Sequence, residues 1–268
     1  MKPRPRKRFG QHFLEPAWAD RVVDAIDPQP SDRFLEIGPG PGVLTRRLAP
    51  RVSHLTAIEV DRDLAAALAH EALPNVDVVA GDVLEIDPGP VVGGEPLRIA
   101  GNLPYNISSP ILFRLLDWGR RFRKIADATL MVQQEFADRL VAAVGTKDYG
   151  VLTIFTTMAA EVRRLFDLPP GAFRPVPRVR SSVVRLRFRP AGVAVRSETT
   201  FTEVVRSVFT QRRKTMANAT RTVAESRRVT AAAALADAGI DPRRRPETLT
   251  IEEFARLANV LSRDVPPA

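Results

Sequence analysis

The sequence predicts an α/β fold: a mostly parallel sheet with a closing antiparallel strand, followed by a small all-helical C-terminal domain. Three observations carry that expectation. Short apolar strand-like segments alternate with helix-like ones over the first 170 or so residues, the pattern of parallel strands joined by crossover helices. A glycine cluster, EIGPGPG (36–42), follows the first of these strands and precedes a helix-like stretch, where folds of this kind take a ligand. Beyond residue 190 the strand signals stop and helical segments take over.

The elements follow in order. RFLEIG (33–38), HLTAIEV (54–60), VDVVAGD (76–82), LRIAGN (97–102) and DATLMVQ (127–133) read as strands. DLAAALAHEAL (63–73) and SPILFRLLDWG (109–119) read as helices between them, and DPGPVVGGEP (87–96) as a flexible loop. EVRRLFDL (161–168) and RSSVVRLRF (180–188) have no long helix between them, so they are expected to close the sheet as an antiparallel pair. RPAGVAVRSET (189–199) reads as a linker. TFTEVVRSVFTQ, TAAAALADAG and TIEEFARLANVLS then form the helical domain. Gly239 is placed to stop one helix, and Thr250 to cap the last one with Glu253 three residues on. The expected division is residues 1–190 and 191–268.

Composition narrows the partners. The net charge is +9, and only five of the 40 basic residues are lysine. A GC-rich genome favours arginine codons, but it does not explain a positive surplus. That surplus points to a polyanion, most simply nucleic acid, and the guanidinium fork suits phosphate. There is no cysteine, which excludes disulfides and thiolate metal sites, and the three scattered histidines argue against a zinc site. No apolar run approaches the roughly 18 residues of a membrane span. The basic start has no apolar segment behind it, so no secretory signal is expected. Its Arg-rich, acid-free first eight residues suit a mitochondrial presequence, but they run straight into RKRFGQHFL, so a cytoplasmic location is expected.

Chemistry gathers at the strand ends. Gly38, Gly40 and Gly42 depart from the G-x-G-x-x-G spacing of pyrophosphate cradles. Glu59 ends the second strand, where a carboxylate accepts ribose hydroxyls. Asp82 ends the third, within reach of an adenine amino group, and Asn102 ends the fourth. A ligand with an adenosine and no phosphates, such as S-adenosylmethionine, fits that set.

EIGPGPGVLT, AIEVD, GDVLEID, GNLPYNISSPILF, FRPVPRVRSSVVRL, QRRKT and the N-terminal RKRFGQHFL together resemble the KsgA/RsmA family of ribosomal RNA small-subunit adenine dimethyltransferases. The motifs occur in family order from residue 6 to about 215. The resemblance implies a Rossmann-like class I methyltransferase sheet and transfer of methyl groups from S-adenosylmethionine to N6 of two adjacent adenosines near the 3′ end of 16S rRNA, as naked RNA or in the assembling 30S subunit. It implies a cofactor site of His12, Leu14, Gly38, Gly40, Glu59, Asp82 and Asn102. His12 stands where the family often has Asn.

An exocyclic adenine amine is a weak nucleophile because its lone pair is conjugated into the ring. Asn102 Oδ1 and the Leu103 carbonyl are candidate acceptors that would aim that lone pair. Pro104 and Pro110 restrict the backbone around them. Tyr105 offers a face to a flipped-out base, and Phe173 is the family's candidate for the other face. Gly101 and Ser108 are small enough to leave room for a methylated amine. The RNA-binding candidates are the arm around Arg6, Lys7 and Arg8, the group Arg212, Arg213 and Lys214 placed in the first C-terminal helix, and Arg243–Arg245 in a later turn. A monomer is expected. An Erm-type large-subunit (23S) rRNA methyltransferase and an RNA-binding assembly factor without needed catalysis remain as alternatives.

Overall fold

A computed structural model describes residues 11–92 and 94–262 of the chain. The basic arm that includes Arg6, Lys7 and Arg8 lies outside the described residues. The chain folds as two compact units. The first runs to Ala137 and resumes over Ala159–Arg189; the second comprises Asp138–Met158 and the chain from Pro190 onward.

Among the described residues, the first unit opens on a two-residue strand, Phe13–Leu14 (β1), and the helix Pro16–Ile26 (α1). Arg33–Ile37 (β2), Thr45–Leu48 (α2), His54–Glu59 (β3), Arg62–Ala69 (α3) and Val76–Ala80 (β4) follow. Gly89–Val92 (α4), Leu97–Asn102 (β5), Ser108–Phe122 (α5), Ile125–Gln133 (β6) and Gln134–Leu140 (α6) come next. After Val151–Ala159 (α7), the chain returns as Ala160–Leu168 (β7), Phe173–Arg174 (β8) and Ser181–Phe188 (β9).

Seven strands form one sheet in the order β4-β3-β2-β5-β6-β9-β7. β9 runs antiparallel to both of its neighbours, β6 and β7, and the other pairings are parallel. The closing pair predicted from residues 161–188 is therefore present, with the later strand inserted inside the earlier one. Phe34 and Leu35 on β2 point to opposite faces, and both are buried, as a sheet covered on both sides requires. The segment 87–96 differs from the flexible loop expected. Asp87 Oδ1 accepts the Gly89 N–H at 3.0 Å, and Val92 is fully buried, so a helical turn is nucleated and pinned there.

The second unit is helical: Glu198–Thr210 (α8), Met216–Ala219 (α9), Arg221–Glu225 (α10), Ala231–Ala238 (α11) and Ile251–Leu261 (α12), together with most of α7. Phe201, Val204, Val205 and Val208 recur at helical spacing on α8 and share an apolar core with Phe254 and Leu257. Tyr149 and Ile154 belong to the same core. That is why residues 138–158 join the helical unit instead of the sheet unit, in contrast to the single break at 190 expected from sequence.

Candidate active site

The strand order reverses at β2, between β3 on one side and β5 on the other, and open α/β sheets bind ligands beyond the carboxyl ends of strands at such a point. A cleft lies there, lined by Gly38, Gly40, Glu59, Asp82 and Asn102, and also by Gln11, His12, Phe13, Leu103, Pro104 and Tyr105. The predicted strand-end residues thus come together. Among the described residues that line it there is no Arg or Lys, so these residues offer no cation to a phosphate chain.

The glycine turn owes its shape to backbone freedom. Gly38, Gly40 and Gly42 all have positive φ, at 65°, 55° and 77°. A Cβ on Gly40 would lie 3.1 Å from the Phe13 ring, so the turn and β1 close on each other only without a side chain there. Glu59 is buried under this turn. Its Oε2 accepts the Gly40 N–H and its Oε1 the Asp61 N–H, both at 2.9 Å. Burial raises its pKa, and the two N–H donors oppose that. Each oxygen keeps a lone pair for a ligand hydroxyl. Asp82 Oδ1 accepts the Leu84 N–H at 2.9 Å, which fixes the carboxylate at the cleft.

The end of β5 carries an oriented amide. Asn102 Nδ2 donates to the His12 backbone carbonyl at 2.7 Å. A carbonyl only accepts, so the amide is oriented with its nitrogen toward His12 and its oxygen free for a donor. Leu103 donates its N–H to the Met131 carbonyl at 3.0 Å, and the Pro104 carbonyl accepts from Ile107 N–H and from Ser108 Oγ. The Tyr105 hydroxyl and Ser181 Oγ share a hydrogen bond of 2.6 Å, and burial pushes the phenol pKa up, so it stays neutral.

Several sequence expectations change here. Phe173 is completely buried and pairs with Leu14 across β1 and β8. Both side chains belong to the sheet unit's apolar core. Phe173 therefore presents no open face to a base, and Leu14 points into the core while its neighbours His12 and Phe13 line the cleft. The ring actually stacked near Tyr105 is His12, with centroids 5.3 Å apart and planes 23° apart. Its Nδ1 bonds the Pro175 carbonyl at 2.7 Å, which requires a proton on Nδ1. Gly101 is small because β5 passes close to β2: a Cβ would meet the Ile37 carbonyl oxygen at 2.8 Å. It does not provide room for a methylated amine, and neither does Ser108, which is buried and bonded to Pro104.

In the second unit, α8 stops at Thr210 and Gln211 leaves helical geometry. Arg212, Arg213 and Lys214 therefore sit in the turn after the helix and not within it. Arg212 donates to the Thr146 carbonyl at 3.1 Å and lies 3.9 Å from Glu247; Arg213 and Lys214 are exposed. Arg244 forms a two-point bridge to Glu253 and is engaged within the unit, whereas Arg243, though paired with Asp241, stays exposed, as does Arg245.

Sequence reasoning missed Phe13, Val60 and Val83 as lining residues; Val60 directly follows Glu59 and Val83 directly follows Asp82. It also missed Glu36, which is fully buried, accepts the Thr45 hydroxyl at 2.7 Å and has its pKa raised to about 7, chiefly by burial. Its place inside an apolar strand just before the glycines was the available signal. Among the described residues no cluster suits a metal ion, and no helix is long and apolar enough to cross a membrane.

A family profile for ribosomal RNA adenine dimethylases matches residues 3–263. The chain is 46% identical over 259 residues to the ribosomal RNA small subunit methyltransferase A of Xanthomonas campestris, covering 95% of both chains. It is 43% identical over 263 residues to the protein of the same name from Syntrophotalea carbinolica, covering 97% of this chain and 98% of that one. Among solved structures, a dimethyladenosine transferase from Plasmodium falciparum superposes with a TM-score of 0.74 at 24% identity, covering 92% of this chain and 96% of that chain. The 23S rRNA methyltransferase ErmE superposes with a TM-score of 0.66 at 31% identity, covering 94% and 100%.

Proposed function

The chain belongs to the ribosomal RNA adenine dimethylase family, and from that premise we propose which residues carry the reaction and on which adenosines it falls. It is an S-adenosylmethionine-dependent enzyme that dimethylates adenine in small-subunit ribosomal RNA. In this reading the targets are two adjacent adenosines near the 3′ end of that RNA, modified on N6 during ribosome biogenesis. The protein acts as a monomer in the cytoplasm, on the RNA or on the assembling 30S particle.

The cleft suits the methyl donor: two carboxylates for an adenosine, a glycine turn that a side chain would obstruct, and, among the described lining residues, no cation for phosphates. When bound, S-adenosylmethionine supplies an electrophilic sulfonium methyl. Glu59 accepts ribose hydroxyls, and Asp82 accepts from the adenine amino group. Val60 and Val83, each next to one of those acids, cover the faces of the ring. His12, Gly38 and Gly40 complete the enclosure.

The target amine is handled by the 102–105 segment. Asn102 Oδ1 and the Leu103 carbonyl accept its two N–H groups and direct the nitrogen lone pair toward the cleft. Tyr105 stacks the base, a contact worth about 1–3 kcal/mol. The contribution is positioning and electrostatics, and solvent takes the proton released. The observation that carries this reading is the Asn102 amide, oriented by the His12 carbonyl so that an acceptor faces the cleft.

The test is to supply labelled S-adenosylmethionine with unmethylated small or large ribosomal subunits and to map dimethyladenosine. Label confined to adjacent adenosines near the small-subunit 3′ end is the expected result. Label in the large subunit would select the Erm-type alternative, and tight binding without label a non-catalytic assembly factor. The higher identity to the small-subunit relatives than to ErmE, 46% against 31%, favours the former.

A further inference from the structure

The segment between β8 and β9, Pro175–Arg180, has no part in the reaction just described, yet it borders the base platform at both ends. The Pro175 carbonyl holds the His12 ring, and Ser181, the next residue after the segment, holds the Tyr105 hydroxyl. Between those anchors Pro177 is buried. On either side of it Val176 and Val179 are 54% and 44% exposed, two outward apolar side chains on one short loop. Arg178 and Arg180 alternate with them and are also exposed. A single exposed valine needs no explanation. Two of them, interleaved with arginines beside an aromatic that receives a base, form an apolar tip with a cationic flank.

A base turned out of its stack leaves a gap and costs a few kcal/mol of lost stacking. Proteins that distort nucleic acids offset such a cost by inserting an apolar side chain next to the disturbed step, while cations hold the neighbouring phosphates. We infer that the 175–180 loop is the RNA wedge of this enzyme: Val176 and Val179 pack on the bases flanking the target adenosine, and Arg178 and Arg180 take the adjoining phosphates. The occupant is single-stranded or locally opened RNA, because the loop is continuous with the base platform and carries the opposite charge to a phosphate backbone. The inference rests on the reading of Tyr105 as that platform.

The test uses the full chain with S-adenosylhomocysteine and an oligoribonucleotide containing two adjacent adenosines with 2-aminopurine as the base next to the pair, which brightens when its stacked neighbour is turned out. Wild type should raise the fluorescence. Val176→Ser/Val179→Ser should lose most of that rise while binding S-adenosylhomocysteine as wild type does. Arg178→Glu/Arg180→Glu should weaken RNA binding at least about tenfold and reduce its salt slope by about two. The wedge is overturned if wild type gives no rise or if Val176→Ser/Val179→Ser keeps the full rise, and the phosphate role of the flank is overturned if Arg178→Glu/Arg180→Glu binds RNA as wild type does. A wild type that unstacks the probe but places no label in small-subunit RNA would remove the proposed substrate and leave the wedge standing.

Discussion

Asn102 shows how one side chain is aimed. Its amide nitrogen is committed to the His12 carbonyl, so the oxygen faces the cleft before any substrate arrives, and no reorganisation is needed during the reaction. Asn102→Ala should lower kcat by at least about a hundredfold, the scale of losing one oriented polar group at a reacting centre, with the thermal midpoint little changed. Turnover at the wild-type rate would refute its role. Glu36 couples stability to pH. Folding raises its pKa from 4.5 to about 7 by burial, so the native state favours the neutral acid. Its contribution is fully present below pH 4.5 and is lost as pH rises through 7. Glu36→Gln keeps an acceptor for Thr45 and removes the titration. Its advantage over wild type should therefore grow as pH rises from about 4.5 to about 7 and level off above that, on the order of 3 kcal/mol in all, as read from urea unfolding at several pH values. A pH-independent difference between the two proteins would contradict this account.

Among the elements, α12 follows its local code closely. The Thr250 hydroxyl accepts the Glu253 N–H, and Glu253 returns a bond to the Thr250 N–H. Glu253 also bridges to Arg244, which ties the cap to the preceding turn. Thr250→Ala should cost about 1 kcal/mol, and denaturant midpoints for the two proteins would reveal it. α11 likewise ends at Gly239, with φ of 65°. α1 is held differently. Its last carbonyls are met by Arg98 from β5 and Arg185 from β9: Arg98 donates to the Ile26 carbonyl at 2.6 Å while bonding Asp32 and Asp127, and Arg185 donates to Ala25. No pattern within residues 16–26 announces those two arginines.

For the whole molecule, the +9 charge becomes informative only once the committed cations are set aside. Arg212 braces its own unit, and Arg244 is bridged to Glu253, whereas Arg213 and Lys214 stand exposed in the turn after α8. Reversing all of 212–214 would therefore mix a folding effect with a binding one. Arg213→Glu/Lys214→Glu is the cleaner experiment. It should weaken binding to small-subunit RNA and lower the salt slope by about two, with cofactor affinity unchanged. Unaltered RNA affinity would remove this turn from the interface.

The sequence by itself determined the seven strands of the main sheet in chain order, the glycine turn, the acids at successive strand ends and the helix ends at Gly239 and Thr250. Each of these rests on residues near one another in the chain, where periodicity, φ preference and capping chemistry act. It also specified the family, because motif wording survives without knowledge of contacts. Only the tertiary structure decided that Phe173 and Leu14 lie in the core, that His12 stacks on Tyr105, that 138–158 packs with the helical unit, and that Arg212 and Arg244 are engaged while Arg213 and Lys214 are exposed. Those outcomes depend on partners up to 163 positions apart, as between His12 and Pro175. A side chain's burial and pairing are set by what the fold brings against it, and no local pattern encodes that.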